Sequence, residues 1–190
     1  MSTHLAELFH QILPLSEEDK SLLSDYWQEE RVLKRGENLL RPGQLERHVY
    51  FVLEGSLRIY FPTDEGEEIC IGFGYPGNIL SAIPSFLNEE PSEFGISALR
   101  KSKLLQISKK KLYTLRESSV TIDKIWQHSM EQALVGLIER ESAMLIKDPR
   151  KRLNKLLKRS PHIFQYVPQK YIASYLRMSP ETLSRIFKEL

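Results

Sequence analysis

Glu181, Arg185 and Lys188 line one side of a helical repeat near the C-terminus, with Leu183, Ile186, Phe187 and Leu190 on the other side and Ser184 on the flank. These residue types suit the base-pair edges of a major groove. An arginine forks onto O6 and N7 of guanine, a carboxylate accepts from a cytosine amino group, and a lysine meets a phosphate. Ser179 is a good N-cap for such a helix, and Pro180 fits its first position, where a missing N–H costs nothing. Upstream, Ile172, Ala173 and Leu176 form one face of a shorter helix that starts near Gln169 and Lys170. Two amphipathic helices meeting at Arg177-Met178-Ser179-Pro180 make a helix-turn-helix. The candidate contacts to double-stranded DNA are Gln169, Lys170, Ser179, Pro180, Glu181, Thr182, Ser184, Arg185 and Lys188. The plainer alternative is a helical hairpin with a solvated face, in which Glu181 and Arg185 pair at i, i+4.

Charge separates the two readings. From Lys147 onward the chain has 11 Lys and Arg against 3 Asp and Glu, a net of +8; the remaining residues have 16 against 22, a net of −6. The overall +2 therefore hides a basic C-terminal module on an acidic body. Segregated positive charge is the electrostatic footprint of phosphate-backbone binding.

The stretch VPQKYIASYLRMSPETLSRIFKEL, from Val167 to Leu190, resembles the winged helix-turn-helix of the Crp/Fnr family of bacterial transcription regulators. The match is closest at Ile172-Ala173, Leu176, Ser179 and Glu181 to Ile186. Pro180 stands where many members carry arginine. Arg177 stands where the turn usually has glycine, so a bulky residue is expected at positive φ. The resemblance implies a cytoplasmic homodimer on an inverted-repeat operator, with RNA polymerase as a protein partner.

The elements that must position these residues can be read in order. Residues 3–13 place Leu5, Leu8, Phe9 and Ile12 on one side of a helix, and Ser16 with Glu17, Glu18 and Asp19 opens a second. From about Arg31 the period changes to two: Leu57, Ile59 and Phe61 alternate with Arg58 and Tyr60, and Ile69, Ile71 and Phe73 alternate with Cys70 and Gly72. Gly43, Gly55, Gly66 and Gly77 recur every 11 or 12 residues. Short strands with turn glycines at that spacing predict a small antiparallel roll. Further strands are expected at 96–99 and 103–107, and a short helix at Lys109–Arg116. The stretch from Lys34 to Leu80 resembles the cyclic-nucleotide-binding β-roll of the same family.

Thr121 to about Ile146 reads as one long helix. Trp126, Met130, Ala133, Leu137, Arg140 and Met144 step by four and three, a coiled-coil seam interrupted by one arginine. Trp126, Met130, Ala133, Leu137 and Met144 are the candidate dimer interface; Ile125, Leu134, Ile138 and Leu145 form the neighbouring stripe, expected to face the roll. Asp148-Pro149 opens the next helix, and Val167-Pro168 is expected to form a short strand of the wing. The fold class is α+β: a jelly-roll effector domain with flanking helices over 1–120, a dimerisation helix over 121–146, and a winged helix-turn-helix over 147–190.

In cyclic-nucleotide-binding members of the family, a Glu in the roll holds the ribose and an Arg neutralises the cyclic phosphate. The matching stretch here is Gly77 to Phe86, and Ala82 falls where the Glu would be. Arginine is absent between Arg58 and Arg100, where Glu89, Glu90 and Glu93 offer an acidic rim instead. A buried phosphodiester needs a cation or several N–H donors, so the sequence argues against cyclic AMP. Ile79, Leu80, Ser81, Ala82, Ile83 and Ser85 remain as pocket residues for a neutral or less charged effector; the alternative is a pocket filled by side chains, in a regulator controlled only by its abundance.

Other classes fit poorly. Cys70 is the sole cysteine, which excludes an internal disulfide and an all-cysteine iron–sulfur cluster within the chain. The five histidines show no zinc-ligand spacing, and only His48 lies in the roll, against a cupin-like metalloenzyme. No catalytic constellation is identifiable. No apolar run approaches a membrane span, and the N-terminus does not read as a signal peptide. A ligand-binding roll or interaction module with a degenerate DNA-binding half is the alternative; it leaves the basic reader helix unexplained.

Overall fold

The computed structural model describes residues 3–189, with side chains from Leu5 onward. Leu190 on the apolar stripe and the His4 side chain lie outside these residues. Two N-terminal helices come first, α1 (Thr3–Ile12) and α2 (Glu17–Tyr26). A capping box closes the start of α2: Ser16 Oγ accepts the Asp19 N–H, and Asp19 Oδ2 accepts the Ser16 N–H.

Eight strands follow. They are β1 (Glu29–Leu33), β2 (Asn38–Leu40), β3 (His48–Glu54), β4 (Leu57–Pro62), β5 (Glu68–Gly74), β6 (Ile79–Leu80), β7 (Gly95–Ala98) and β8 (Ser102–Ser108). They form two antiparallel four-stranded sheets, β1-β8-β3-β6 and β2-β7-β4-β5. Leu33, Val52, Leu57, Ile96 and Leu104 fill the space between them. In β3 the apolar run Val49-Tyr50-Phe51-Val52 is continuous because both faces are covered. Tyr50 and Val52 point into the roll, while Val49 and Phe51 pack beneath the helices. The β3–β4 turn requires glycine: Gly55 has φ +83°, and a Cβ there would lie 2.3 Å from the Lys101 carbonyl oxygen.

On the outer face of the first sheet, α1 and α2 meet α4 (Lys109–Ser118) and the start of α5 (Val120–Met144). The C-terminal module holds α6 (Pro149–Arg159), α7 (Ile163–Tyr166), α8 (Gln169–Tyr175) and α9 (Pro180–Phe187). Leu153, Leu156, Ile163, Ile172, Leu183 and Ile186 form its core. The wing strand expected at Val167-Pro168 is not there. Val167 ends α7 and Pro168 opens α8: the Val167 N–H donates to the Ile163 carbonyl and the Pro168 carbonyl accepts the Tyr171 N–H, so these groups are drawn into helical turns; every described strand precedes Lys109. No described helix is long and apolar enough to cross a membrane.

Candidate nucleic-acid interface and effector cavity

The reader helix is built by its cap and its core. Ser179 Oγ accepts the Thr182 N–H at 3.1 Å and donates to Thr182 Oγ1 at 3.1 Å. The Ser179 hydroxyl is therefore engaged in the cap. Leu183 and Ile186 are buried, which turns Pro180, Glu181, Arg185 and Lys188 outward; Thr182 and Ser184 are half-buried on the flanks. Gln169 and Lys170 are exposed at the start of α8. Its own backbone N–H, then the Ser179 hydroxyl, hold the Glu181 carboxyl below its usual pKa, so it is an acceptor at neutral pH. Arg185 has no carboxylate of the described residues within 4 Å, so the i, i+4 ion pair with Glu181 is not formed. The turn is as expected: Arg177 has φ 53°, and the following Met178 N–H returns to the Ala173 carbonyl at 3.1 Å. An ion pair between Arg150 and Glu189, and ring contact of Phe164 with Phe187 at 4.4 Å, brace the far end of α9.

This module is docked on the roll. The Cys70 N–H donates to Ser174 Oγ at 3.0 Å, and Ser56 Oγ donates to the Tyr166 carbonyl at 2.8 Å. Tyr75 stacks on Tyr166, and Phe73 meets Tyr175, both with ring centroids 5.2 Å apart. Cys70 is fully buried in this contact, and burial pushes its thiol pKa up. The apolar alternation of β5 marks a strand but does not say which partner covers it.

A cavity of about 460 Å³ lies between β4, β5, the turn into α3 (Ile83–Asn88), α5 and the reader module. Ile79, Leu80, Ser81, Ala82 and Ile83 line it. Ser85 does not. Its hydroxyl faces the other way, accepting the Glu46 N–H at 3.0 Å and donating to the Glu90 carbonyl at 2.5 Å. Ser81 is also occupied, donating to the His48 carbonyl at 2.9 Å. The acidic rim is absent from the cavity wall: Glu89 ends α3 in the left-handed region and pairs with Lys109 at 2.8 Å. Phe94 lines the wall, and the cationic groups there are Arg140 and Arg159, which come from α5 and α6 rather than from the roll. Periodicity could not reveal them, because their approach depends on how the module docks.

The long helix also differs from expectation in its faces. Trp126 is 8 % exposed and packs with Ile122 and Ile125 under the roll; Met130 adjoins that core and Met144 packs on the C-terminal module. Trp126 is therefore held within the protomer, while Met130 and Met144 are half-buried. Ala133 and Leu137 lie on the cavity wall, though Leu137 is 60 % exposed. The unpartnered apolar face of α5 is Leu134, Leu137 and Ile138, extended by Leu145. A straight helix brings the two predicted stripes together here, since a 3.5-residue seam drifts around a 3.6-residue helix.

Among the described residues no cluster of three or more His, Cys, Asp or Glu is placed to hold a metal ion.

Residues 30–119 match the cyclic nucleotide-binding domain family. The chain is 27 % identical over 189 residues to the transcriptional activator protein FnrA of Stutzerimonas stutzeri, covering 92 % of this chain and 75 % of that protein. It is also 32 % identical over 110 residues to patatin-like phospholipase domain-containing protein 6 of Mus musculus, a match spanning 55 % of this chain but only 8 % of that protein. In three dimensions it matches FixK2 from Bradyrhizobium japonicum with a TM-score of 0.71 at 18 % identity, over 85 % of this chain and 83 % of that one.

Proposed function

Starting from a chain homologous to the Crp/Fnr-family transcriptional regulators, we propose that it is a cytoplasmic, sequence-specific DNA-binding regulator that acts as a homodimer on an inverted repeat. The observation that carries this reading is the row of Glu181, Arg185 and Lys188 on α9, exposed and held outward by the buried Leu183 and Ile186. Arg185, free of a carboxylate, forks onto guanine O6 and N7; Glu181 accepts from a cytosine amino group. Ser184 and Thr182 flank the base-reading row, and Pro180 sits at its entry. Lys170, Gln169 and Lys188 meet phosphates. Ser179 contributes by fixing the helix start.

The second protomer is placed against Leu134, Leu137 and Ile138 of α5. Two-fold pairing there presents two α9 helices to half-sites about one helical turn apart. In this reading the roll through residue 120 senses, the helix over 121–146 pairs the protomers, and the module from 147 reads DNA and presents a surface to RNA polymerase. Cyclic AMP is not the effector: Ala82 replaces the ribose-binding Glu, and Phe94 rather than an arginine stands on the roll wall.

Binding-site selection with wild type and Arg185→Ala tests the reading. The variant should lose about 1–3 kcal/mol and relax preference at one base per half-site. Identical base preferences in the two proteins would remove Arg185 as a reader.

A further inference from the structure

The roll side of the cavity is largely apolar. Ile59, Ile71, Phe73, Ile79, Ala82 and Phe94 contribute to it, and the Ser81 hydroxyl is already spent on a backbone carbonyl. The other polar side chain of the roll on that wall is Tyr75, so most of the hydroxyls of a ribose or the edge of a base would be left without a side-chain partner, which is costly for a buried polar atom. The opposite end is cationic. Arg140 and Arg159 reach it from α5 and α6, on either side of Tyr175 of α8.

These two guanidinium groups lack a counter-charge. No carboxylate of the described residues lies within 4 Å of either. Arg159 gives one nitrogen to the Gly136 carbonyl and another to Tyr175 Oη, both at 2.7 Å. Arg140 lies over the Tyr175 ring at 4.9 Å, and its Nε is buried without any hydrogen-bond partner. Leu156, Arg140, Arg159 and Tyr175 are shared with a second cleft of about 400 Å³, whose wall adds Arg152, Lys155 and Lys158 against one carboxylate, Glu139. The positive potential at this end is thus a property of the whole corner, not of one side chain. Arg159 is exposed and Arg140 half-buried, so their outer nitrogens are open to an anion entering the cavity, while the Arg140 Nε is buried with its donor unused.

We infer that this cavity binds an organic carboxylate with an apolar body, the body against the roll wall and the carboxylate between Arg140 and Arg159. The site differs from a nucleotide site in where its cation comes from. The charge is supplied by the long helix and by α6, so the ligand touches the roll, the dimerisation element and the DNA-binding module together. The ligand class deepens the regulator reading and rests on it for its consequence, a change in operator affinity on binding; the binding itself does not depend on DNA.

The experiment uses full-length, DNA-free protein loaded with 1-anilinonaphthalene-8-sulfonate, an apolar aromatic anion that fluoresces in such sites. Decanoate and 1-decanol then compete with it. Decanoate should displace the dye about tenfold to a hundredfold more effectively than decanol, as a charge-assisted contact requires. Arg140→Gln leaves the two Arg159 hydrogen bonds in place and should erase most of that preference while decanol binding persists. Ala133→Trp fills the apolar part and should abolish displacement by both. Equal affinity for decanoate and decanol in the wild type, an undiminished preference in Arg140→Gln, or no displacement by either compound overturns the inference. A gel shift on the selected operator is read separately: carboxylate-selective binding without any DNA binding would refute the regulator reading and leave the ligand site standing.

Discussion

Arg185 and Lys170 are both exposed cations on adjacent helices, yet chemistry assigns them different work. In the proposed reading Arg185, in the last turn of α9, reads bases, and Lys170, at the entry to α8 beside the Tyr171 ring, meets a backbone phosphate. Lys170→Ala should weaken binding to all sequences about equally and flatten the salt dependence by roughly one charge per protomer. A salt titration of operator and random DNA checks this: a loss confined to the operator would make Lys170 a base reader. A second residue carries a pH dependence. Glu46 is 3 % exposed; Oε1 accepts from the His48 N–H at 2.9 Å and the Tyr50 hydroxyl at 3.1 Å, while Oε2 is buried without a partner. Burial raises its pKa above the usual carboxylate value. The folded chain therefore holds this proton to a higher pH than the unfolded chain. The stability it contributes is full below the ordinary carboxylate pKa and is lost as pH rises through the folded value. Glu46→Gln keeps an acceptor for His48 and Tyr50 and never ionises. Its melting temperature, relative to wild type, should climb as pH rises above the ordinary carboxylate range. A difference that stays constant over that rise would mean Glu46 is not protonated in the fold.

At the scale of elements, capping is the most regular rule in the chain. Ser16, Ser108, Ser119, Asp148 and Ser179 each accept a backbone N–H from the first turn of the helix that follows. The starts at Ser16, Asp148 and Ser179 were legible because a cap acts within four residues; the caps at Ser108 and Ser119 emerged only in the structure. The faces of α5 were not. Its pattern shows two apolar stripes, but which one meets the roll depends on where α1, β3 and the module lie. The helix is 25 residues long, about 37 Å, and its ends are buried in two different cores while its middle is left apolar and uncovered. Ile138 is 61 % exposed and lies off the cavity wall. Ile138→Glu should therefore weaken dimerisation and, through it, DNA binding, without loss of the folded monomer. Sedimentation at tens of micromolar, about the upper end for a specific dimer, reads the outcome; a variant as dimeric as wild type would move the interface elsewhere.

At the scale of the whole molecule, the reader module and the roll share a core. Cys70 and Leu99 of the roll lie in the same buried cluster as Leu153, Ile172 and Ile186. Ligand contacts at the cavity can thus be felt by α8 through Tyr175, which lines the cavity and packs on Phe73. Cyclic nucleotides should not exploit this route. Calorimetry with cyclic AMP and cyclic GMP should show no saturable heat in the micromolar range, about 8 kcal/mol of binding free energy. Saturable micromolar binding by either would require a phosphate site made from Arg140 and Arg159 instead of from the roll.

By itself the sequence determined the strand alternation, the caps at Ser16, Asp148 and Ser179, the helix-turn-helix and the exposure of Glu181 and Arg185, while the positive φ of Arg177 was expected from the family resemblance. The former follow from forces that act over a few residues: periodic burial and hydrogen bonds to a nearby backbone. Only the tertiary structure decided that Val167-Pro168 joins two helices, that Ser85 turns away from the cavity, and that Trp126 belongs to the protomer's own core. It alone decided that the cavity's cations come from α5 and α6. Those outcomes are set by contacts between residues far apart in the chain, such as Ser56 with Tyr166 and Gly136 with Arg159, and no local pattern encodes which distant surface will cover a given face.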